Sequence, residues 1–142
     1  MSSTTSTRIT ISALVAMPMA HVWKCWTGAE HIVHWNNASE DWHCPTATNV
    51  LRAGGQFNYI MAARAGSMSF DFIGTYTQVV PEKRIAYTIA DGRKVEVLLA
   101  ADGAGTRVTE IFEAETENTV ELQRGGWQAI LDRFKAYTEK QG

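Results

Sequence analysis

The feature that most constrains the fold is a helical pattern of apolar residues from Asn118 to Lys140. Apolar side chains follow Trp127 at steps of three, four, seven and ten residues, namely Ile130, Leu131, Phe134 and Tyr137. These steps place them on one face of an α-helix, with Thr116 or Asn118 as the predicted N-cap. About twenty residues at ~1.5 Å each reach roughly 30 Å, the width of a small domain. A helix this long with an aromatic-rich face needs a broad apolar partner.

Two adjacent glycines, Gly125 and Gly126, interrupt this helical pattern just before Trp127. Each glycine in a helix interior costs about 1 kcal/mol relative to alanine. One interpretation is a local bend or the close approach of a strand. The other is that the missing side chains leave room for a ligand beside the Trp127 ring. The sequence leaves both open.

The segments before this helix have the alternation and turn signals of β-strands. A strand is predicted at 8–15, short helices at 19–26 and 29–35, and further strands at 47–51, 56–63, 68–80, 84–90, 93–100 and 106–114. The polar segment Asn36 to Thr46 is predicted as the longest loop, and long loops are often functional. Antiparallel strands joined by tight turns form a curved sheet with one apolar side, which the long helix is able to cover. We therefore predict an α+β fold in which about six to seven antiparallel strands wrap around the C-terminal helix.

Length and composition favour one ordinary globular domain over residues 1–142, with 1–7 as a flexible polar tail. The net charge is -2, and the sequence has no basic stripe that would indicate binding to nucleic acid or to an anionic membrane. No apolar run approaches the ~20 residues of a membrane span, and the N-terminus lacks the apolar core of a signal peptide. Two cysteines in 142 residues are too few for a disulfide framework. We therefore expect a cytoplasmic protein with reduced thiols.

Four segments together resemble the START-like (SRPBCC) superfamily, which has the helix-grip fold. They are AMPMAHVWKCWTGAEHIVHW at 16–35, LRAGGQFNY at 51–59, DFIGTYTQVVPEKRIAYT at 71–88 and GWQAILDRFKAY at 126–137. More narrowly, the chain resembles the bacterial branch related to the C-terminal domain of the heat-shock-chaperone ATPase activator. The resemblance covers about Ile9 to Tyr137.

The resemblance implies a cavity between the sheet and the long helix. Members of the superfamily bind lipids, polyketides, plant hormones and other apolar molecules, and a few catalyse cyclisation or hydrolysis. The resemblance brings no catalytic residue and no cofactor to this chain. A shared fold hosts many activities, so it specifies the architecture more closely than the function.

Aligned strand alternations predict which side chains face that cavity. The candidate ligand-binding residues are Trp35, Trp42, His43, Phe57, Tyr59, Met61, Phe70, Phe72, Tyr76, Glu110, Phe112, Trp127, Leu131 and Phe134. Val95, Val97, Val108 and Ile130 are predicted to face the same interior. The alternative is that these aromatic side chains simply fill the core. A one-residue slip in register would turn any of the strands over.

Glu110 is the polar residue that this alternation singles out, because it lies between Val108 and Phe112 on the apolar side. A carboxylate there must be paired, hydrogen-bonded or protonated. It is a candidate to orient a ligand hydroxyl or to act as a general base, whereas an edge position or a structural ion pair is the plainer interpretation. Asp71 falls on the opposite side of its strand and is expected to be exposed.

The segment from His21 to Cys44 holds every cysteine and histidine of the chain, namely His21, Cys25, His31, His34, His43 and Cys44. These are residue types that zinc favours, yet the spacings match no established zinc motif, so no metal site is predicted. Adjacent residues in an extended chain point apart, and His43-Cys44 is therefore expected to gate the cavity rather than to form a reactive pair.

The resulting hypothesis is that the protein binds an apolar or amphipathic small molecule, such as a lipid, polyketide or flavonoid-like compound. One alternative is a cyclase or hydrolase that uses Glu110 or His43 as base. Another is a chaperone-associated interaction module with a filled interior and an exposed apolar patch. A homodimer through an edge strand or the terminal helix is left open by the sequence.

Overall fold

The strands and helices follow one another in the predicted order. The structure, a computed structural model, describes residues 7–141, so the predicted tail lies outside the described residues except for Thr7. The elements are β1 (Arg8–Val15), α1 (Met19–Thr27), α2 (Ala29–Trp35), β2 (Trp42–Asn49), β3 (Gln56–Ala63), β4 (Ser69–Val80), β5 (Arg84–Ile89), β6 (Lys94–Asp102), β7 (Gly105–Glu113) and α3 (Val120–Lys140). No helix among them is both long enough and apolar enough to cross a lipid bilayer.

The strands form a single antiparallel sheet in the order β1-β7-β6-β5-β4-β3-β2. Strands β2 to β7 are a meander, in which each pairs with its neighbour in sequence. The first strand pairs with the last, because α1 and α2 carry the chain from β1 to the opposite edge. The curled sheet and the long C-terminal helix confirm the predicted α+β helix-grip architecture.

Alternation along the strands separates an interior face from an outer one, as predicted. Every second residue of β1 and β7 is buried, and Val95, Val97 and Leu99 of β6 are buried on the same face. In the register of β3 with β4, Tyr59 lies opposite Phe72. The apolar stripe of α3 packs over this face, where Leu131 and Phe134 have no exposed surface.

The largest departure from the predicted elements is at β2. The sequence predicts a loop to Thr46, but the strand begins at Trp42 and is interrupted by a register shift between His43 and Thr46. Pro45 falls within this bulge. Proline lacks the N–H that a regular ladder needs, and it is tolerated at bulges and on edge strands such as β2. The proline therefore marks a bulge here and not the end of a loop.

The start of α3 also differs from the predicted N-cap. Thr119 caps the helix, and its hydroxyl oxygen accepts a hydrogen bond of 3.1 Å from the N–H of Leu122. The Asn118 amide is engaged elsewhere, since it donates to Glu115 Oε2 at 2.7 Å. Buried Gln123 reaches back to donate to the Asn118 carbonyl at 2.8 Å. The Thr119 bond satisfies one of the N–H groups that the first helical turn leaves without a partner.

Helix α3 continues without a break through Gly125 and Gly126. A Cβ atom built on either glycine meets no atom within 4 Å outside its own helix and neighbours. Of the interpretations that the sequence left open, the close approach of a strand is therefore excluded. Neither glycine lines the pocket described below.

We expect Gly125→Ala to raise the free energy of unfolding by about 1 kcal/mol, because alanine restricts the unfolded chain and fits the helix without a clash. Gly54→Ala is the matched control, since Gly54 has a φ of +85°. That substitution should destabilise the fold by about 1–2 kcal/mol. Urea unfolding of both variants checks the pair, and a loss of stability in Gly125→Ala would contradict the open space seen beside it.

Candidate functional site

A cavity of about 310 Å³ lies between the interior face of the sheet and α3, with α1 and α2 at one end. Its lining comes mainly from β3, β4, β5 and the three helices. The lining residues are Trp26, Trp35, Asn36, Phe57, Tyr59, Met61, Phe70, Phe72, Tyr76, Ile85, Tyr87, Arg93, Glu110, Trp127 and Ile130. Nine of these fifteen are aromatic. Ligand pockets in proteins start at roughly 300 Å³ and have a similar excess of apolar over polar groups.

Phe57 of β3 is the centre of the aromatic wall on the sheet. Its ring centroid lies 4.6 Å from that of Tyr59 and 4.9 Å from that of Tyr87. Directly opposite on β4 is Gly74, and a Cβ there would collide with the Phe57 ring. Glycine in a strand interior often marks such a close approach. Gly74 therefore allows the Phe57 ring to lie flat across its neighbouring strand.

Two tryptophans from the short helices close one end of the pocket. The Trp26 and Trp35 rings are 5.0 Å apart, and each packs edge-on against Phe134 of α3. The Trp35 indole N–H donates to the Cys25 carbonyl at 3.0 Å, which orients that ring. At the sheet side of α3, Trp127 stacks on Phe112 with centroids 3.9 Å apart. Rings held this way form a rigid wall for a guest molecule.

Glu110 of β7 reaches the pocket from its apolar floor. Its direct partners in the neighbouring strands are Ile11 and Val97, both buried. The glutamate itself is 5% exposed. Burial among these side chains raises the pKa of Glu110 to about 8. At neutral pH the carboxyl is therefore mostly protonated, and it is able to donate a hydrogen bond into the pocket.

Three tyrosines surround the same space. Burial raises the pKa of Tyr59 and of Tyr87 well above the usual value, and the Glu110 charge adds to the rise at Tyr87. Burial also raises the pKa of Tyr76. The three phenols are therefore neutral over the physiological pH range, and each offers a hydroxyl group that both donates and accepts hydrogen bonds.

Arg93 supplies the one cationic side chain of the lining, from the turn before β6. Its Nε donates to Asp91 Oδ2 at 2.8 Å, and its backbone N–H donates to Asp91 Oδ1 at 3.1 Å. Burial alone would raise the pKa of the Asp91 carboxyl, but these contacts with Arg93 outweigh it and lower that pKa. The pair is partly exposed to solvent, at the outer side of the site.

Nine of the fourteen predicted ligand-binding residues line this pocket: Trp35, Phe57, Tyr59, Met61, Phe70, Phe72, Tyr76, Glu110 and Trp127. The other five lie elsewhere. Phe112, Leu131 and Phe134 face the interior but are covered by neighbouring side chains. Trp42 and His43 lie on edge strand β2, where Trp42 contacts Phe70 and lines a separate surface depression.

Sequence reasoning missed five lining residues, namely Trp26, Asn36, Ile85, Tyr87 and Arg93. The alternation of Ile85, Tyr87 and Ile89 in β5 is a usable signal, because it matches that of the flanking strands. Trp26 has no comparable signal, since its position depends on how α1 packs against α3. Asp71, predicted to be exposed, is exposed.

The histidines and cysteines of the early helices do not converge. His21 Nε2 lies 3.8 Å from Cys25 Sγ on α1, whereas His31 Nδ1 of α2 contacts the Tyr137 hydroxyl at 2.6 Å. Within residues 7–141 no three or more His, Cys, Asp or Glu side chains are grouped as metal ligands. Cys44 is buried and donates to the Thr46 carbonyl. Burial raises the pKa of its thiol, which disfavours the nucleophilic thiolate.

The lining contains no His, Cys, Ser or Thr, so among the described residues it brings no conventional nucleophile to the pocket. Its acid-base groups are Glu110 and the tyrosines. What this arrangement does best chemically is to surround an apolar body with rings and to offer a few hydrogen-bonding groups to one end of that body.

Comparison with known proteins gives a consistent result. Residues 16–139 match the family described as Activator of Hsp90 ATPase homolog 1-like protein. The solution structure of an AHSA1-like protein from Aeromonas hydrophila is 43% identical, covers 96% of this chain and 94% of that one, and has a TM-score of 0.91. None of the curated proteins matches the chain.

Two further structures extend the comparison. A Cytophaga hutchinsonii protein with a solution structure is 48% identical, covers 94% of this chain and 93% of that one, and has a TM-score of 0.82. The crystal structure of a Nitrosomonas europaea protein has a TM-score of 0.83 over 95% of this chain and 96% of that one. At 21% identity, this last likeness concerns the fold alone.

Proposed function

The chain belongs to the family of Activator of Hsp90 ATPase homolog 1-like proteins, and from this premise we propose that its pocket binds an apolar or amphipathic small molecule. The assignment confirms the START-like resemblance of the sequence. The family suggests either a ligand-binding module or a co-chaperone-like module. The observation that favours ligand binding is the aromatic-lined cavity of about 310 Å³ beneath α3.

The energetics of the pocket support this proposal. Burial of apolar surface contributes about 25 cal/mol per Å², so a ligand that covers the aromatic walls gains most of its affinity there. The wall rings are held by mutual contacts, and a preorganised site loses little entropy when it binds. Glu110 and the tyrosine hydroxyls then set the orientation of the polar end. Lipid, polyketide and flavonoid-like molecules all have this amphipathic design.

Fluorescence provides the test, because three of the five tryptophans line the pocket. Titration with fatty acids, flavonoids and polyketides should shift tryptophan emission and raise Tm for at least one class. Ile130→Phe adds a ring at a lining position of α3, and we expect it to weaken binding about tenfold or more by filling space that the ligand needs.

Leu122→Phe is the matched control on the same helix. Leu122 is 62% exposed and does not line the pocket, so this variant should bind as the wild type does. Equal affinity for the Ile130→Phe and Leu122→Phe variants would place binding outside the cavity. A complete absence of emission and Tm shifts would exclude all three classes as ligands of this pocket.

The co-chaperone alternative has one observation in its favour. Met68 is 61% exposed and Phe70 is 49% exposed, both at the β3–β4 hairpin. Neighbouring apolar side chains that face solvent are a feature of protein-interaction sites. This alternative requires binding of a chaperone that Met68→Ser with Phe70→Ser abolishes and that Ile130→Phe leaves unchanged.

A further inference from the structure

We propose that the ligand of this pocket carries a protonated amine on an apolar, aromatic-sized body, and that the ammonium group binds against the Glu110 carboxylate. The inference rests on the proposed function and names the chemical class of its ligand. It follows from how Glu110, Arg93 and the aromatic walls are arranged.

The first support is the isolation of Glu110. Among residues 7–141, no hydrogen bond or ion pair engages its carboxyl group, although the residue is 5% exposed. Buried carboxyl groups in proteins are normally paired, because transfer of a charge from water without a partner is very unfavourable. Glu110 is one of the residues that line the cavity, so a molecule bound there is able to supply the partner that the protein does not.

The second support is the charge balance of the lining. Arg93 is the only other lining residue with an ionisable charge near neutral pH, and it is already paired with Asp91 at 2.8 Å. A ligand carboxylate would therefore compete with Asp91 at the outer side, and on the inner side it would be compatible only with the protonated form of Glu110. A ligand cation meets a single unpaired acid and no repulsive neighbour on the inner side.

The third support is the wall itself. Ammonium groups are attracted to the faces of tryptophan, tyrosine and phenylalanine, and tryptophan is the strongest of these partners. Rings of all three kinds surround the cavity, with Trp26, Trp35 and Trp127 contributed by the helices. An apolar body between these rings, with an ammonium at one end, uses both the walls and the acid.

Binding of an ammonium is coupled to loss of the Glu110 proton to solvent. Burial raises the pKa of Glu110 to about 8, so the free protein must deprotonate this group before the ion pair forms. Affinity for an amine should therefore rise about fifty-fold from pH 6 to pH 8 and then level off. A simple alkylamine remains protonated throughout, since its pKa is about 10.

The expected change in affinity between pH 6 and pH 8 comes from Glu110 and not from the groups that face it. Tyr87 of β5, Tyr76 of β4 and Tyr59 of β3 have raised pKa values and stay neutral. The flanking strands contribute Ile11 and Val97, and the helices contribute Trp26, Trp35, Asn36, Trp127 and Ile130, none of which titrates. Arg93, the other charged side chain of the lining, is paired with Asp91.

The test compares phenylbutylamine, phenylbutanol and phenylbutanoate, which share a carbon skeleton and differ in charge. At pH 8 we expect calorimetry to show that the amine binds about tenfold or more tightly than the alcohol, a difference of roughly 1.4 kcal/mol. Between pH 6 and pH 8 the amine should gain affinity while the alcohol changes little. Glu110→Gln should remove both effects and retain alcohol binding, whereas Glu121→Gln at an exposed position should remove neither.

The outcomes separate this inference from the function on which it rests. If the alcohol binds as tightly as the amine at pH 8, or if the amine keeps its advantage in Glu110→Gln, the amine class is wrong and the pocket remains a binding site. Tightest binding of phenylbutanoate would likewise overturn the amine class and assign the polar contact to Arg93. If none of the three probes binds, the proposed function falls together with the inference.

Discussion

Between pH 5 and pH 8 the wild-type protein should lose about 3–4 kcal/mol of unfolding free energy relative to the Glu110→Gln variant. The cause is the buried carboxyl of Glu110, whose pKa rises from 4.5 to about 8 on folding. The folded state binds this proton more tightly than the unfolded state does. The resulting stabilisation is complete below about pH 4.5 and disappears as the pH approaches 8. Glutamine at this position has no proton to lose.

Urea denaturation of both proteins at several pH values measures this difference, and the subtraction removes the other titrating groups. Asp91, Glu115 and Glu139 have lowered pKa values, so they affect stability in the opposite sense and below this window. Natural domains have only about 5–15 kcal/mol of stability, so the expected change is large. Parallel pH profiles for the two proteins would mean that Glu110 is not buried as the structure describes.

Leu131→Ala should lower the free energy of unfolding by about 2–5 kcal/mol, the range for buried leucines. Leu131 has no exposed surface and lies in the core under α3. The substitution removes buried methyl groups and leaves a cavity beside the helix, and both effects destabilise the folded state. Chemical denaturation of both proteins at one fixed pH measures the change, because Glu110 then contributes equally to the wild type and the variant.

Leu122→Ala on the same helix is the control for this substitution. Leu122 is 62% exposed, and a surface change of this kind usually alters stability by less than about 0.5 kcal/mol. The two variants differ only in which face of α3 is truncated. Equal destabilisation by both would contradict the packing of α3 against the sheet, and with it the position of the pocket.

The sequence predicts which face of each strand is interior, because alternation is a local property. Phe57, Tyr59 and Met61 share a face with Phe72 and Tyr76, as the register of β3 and β4 requires. Glu110 is buried between Ile11 and Val97 for the same reason. The long helix is equally local, since its apolar stripe needs only the 3.6-residue period.

Whether an interior side chain reaches the cavity or is covered by its neighbours is not determined by the local sequence. This difference separates the predicted site residues that line the pocket from those that do not. Phe112 shares the interior face of β7 with Glu110, but Trp127 stacks over its ring. Phe134 shares a helix face with Trp127, but Trp26 and Trp35 enclose it. Whether an interior side chain meets a cavity depends on how α3 crosses the curved sheet, and no single segment encodes that crossing.

Edge strand β2 shows that the local sequence also limits the prediction of secondary structure. The segment from Asn36 to Thr46 is polar and contains a proline, which resembles a loop in sequence. Pairing with β3 nevertheless makes a strand of its second half, with the bulge accommodating Pro45. The partner strand determines this outcome, and it lies ten or more residues away in the chain.

The methyl spectrum of the methionines tests the central claim, that a molecule binds beneath α3, most directly. Met61 lines the pocket, whereas Met68 lies beyond it in the same β3–β4 hairpin and is 61% exposed. With carbon-13-labelled methionine methyl groups, saturation with phenylbutanol should shift the Met61 signal and leave that of Met68 in place. An unmoved Met61 signal, or a shift confined to Met68, would contradict the account.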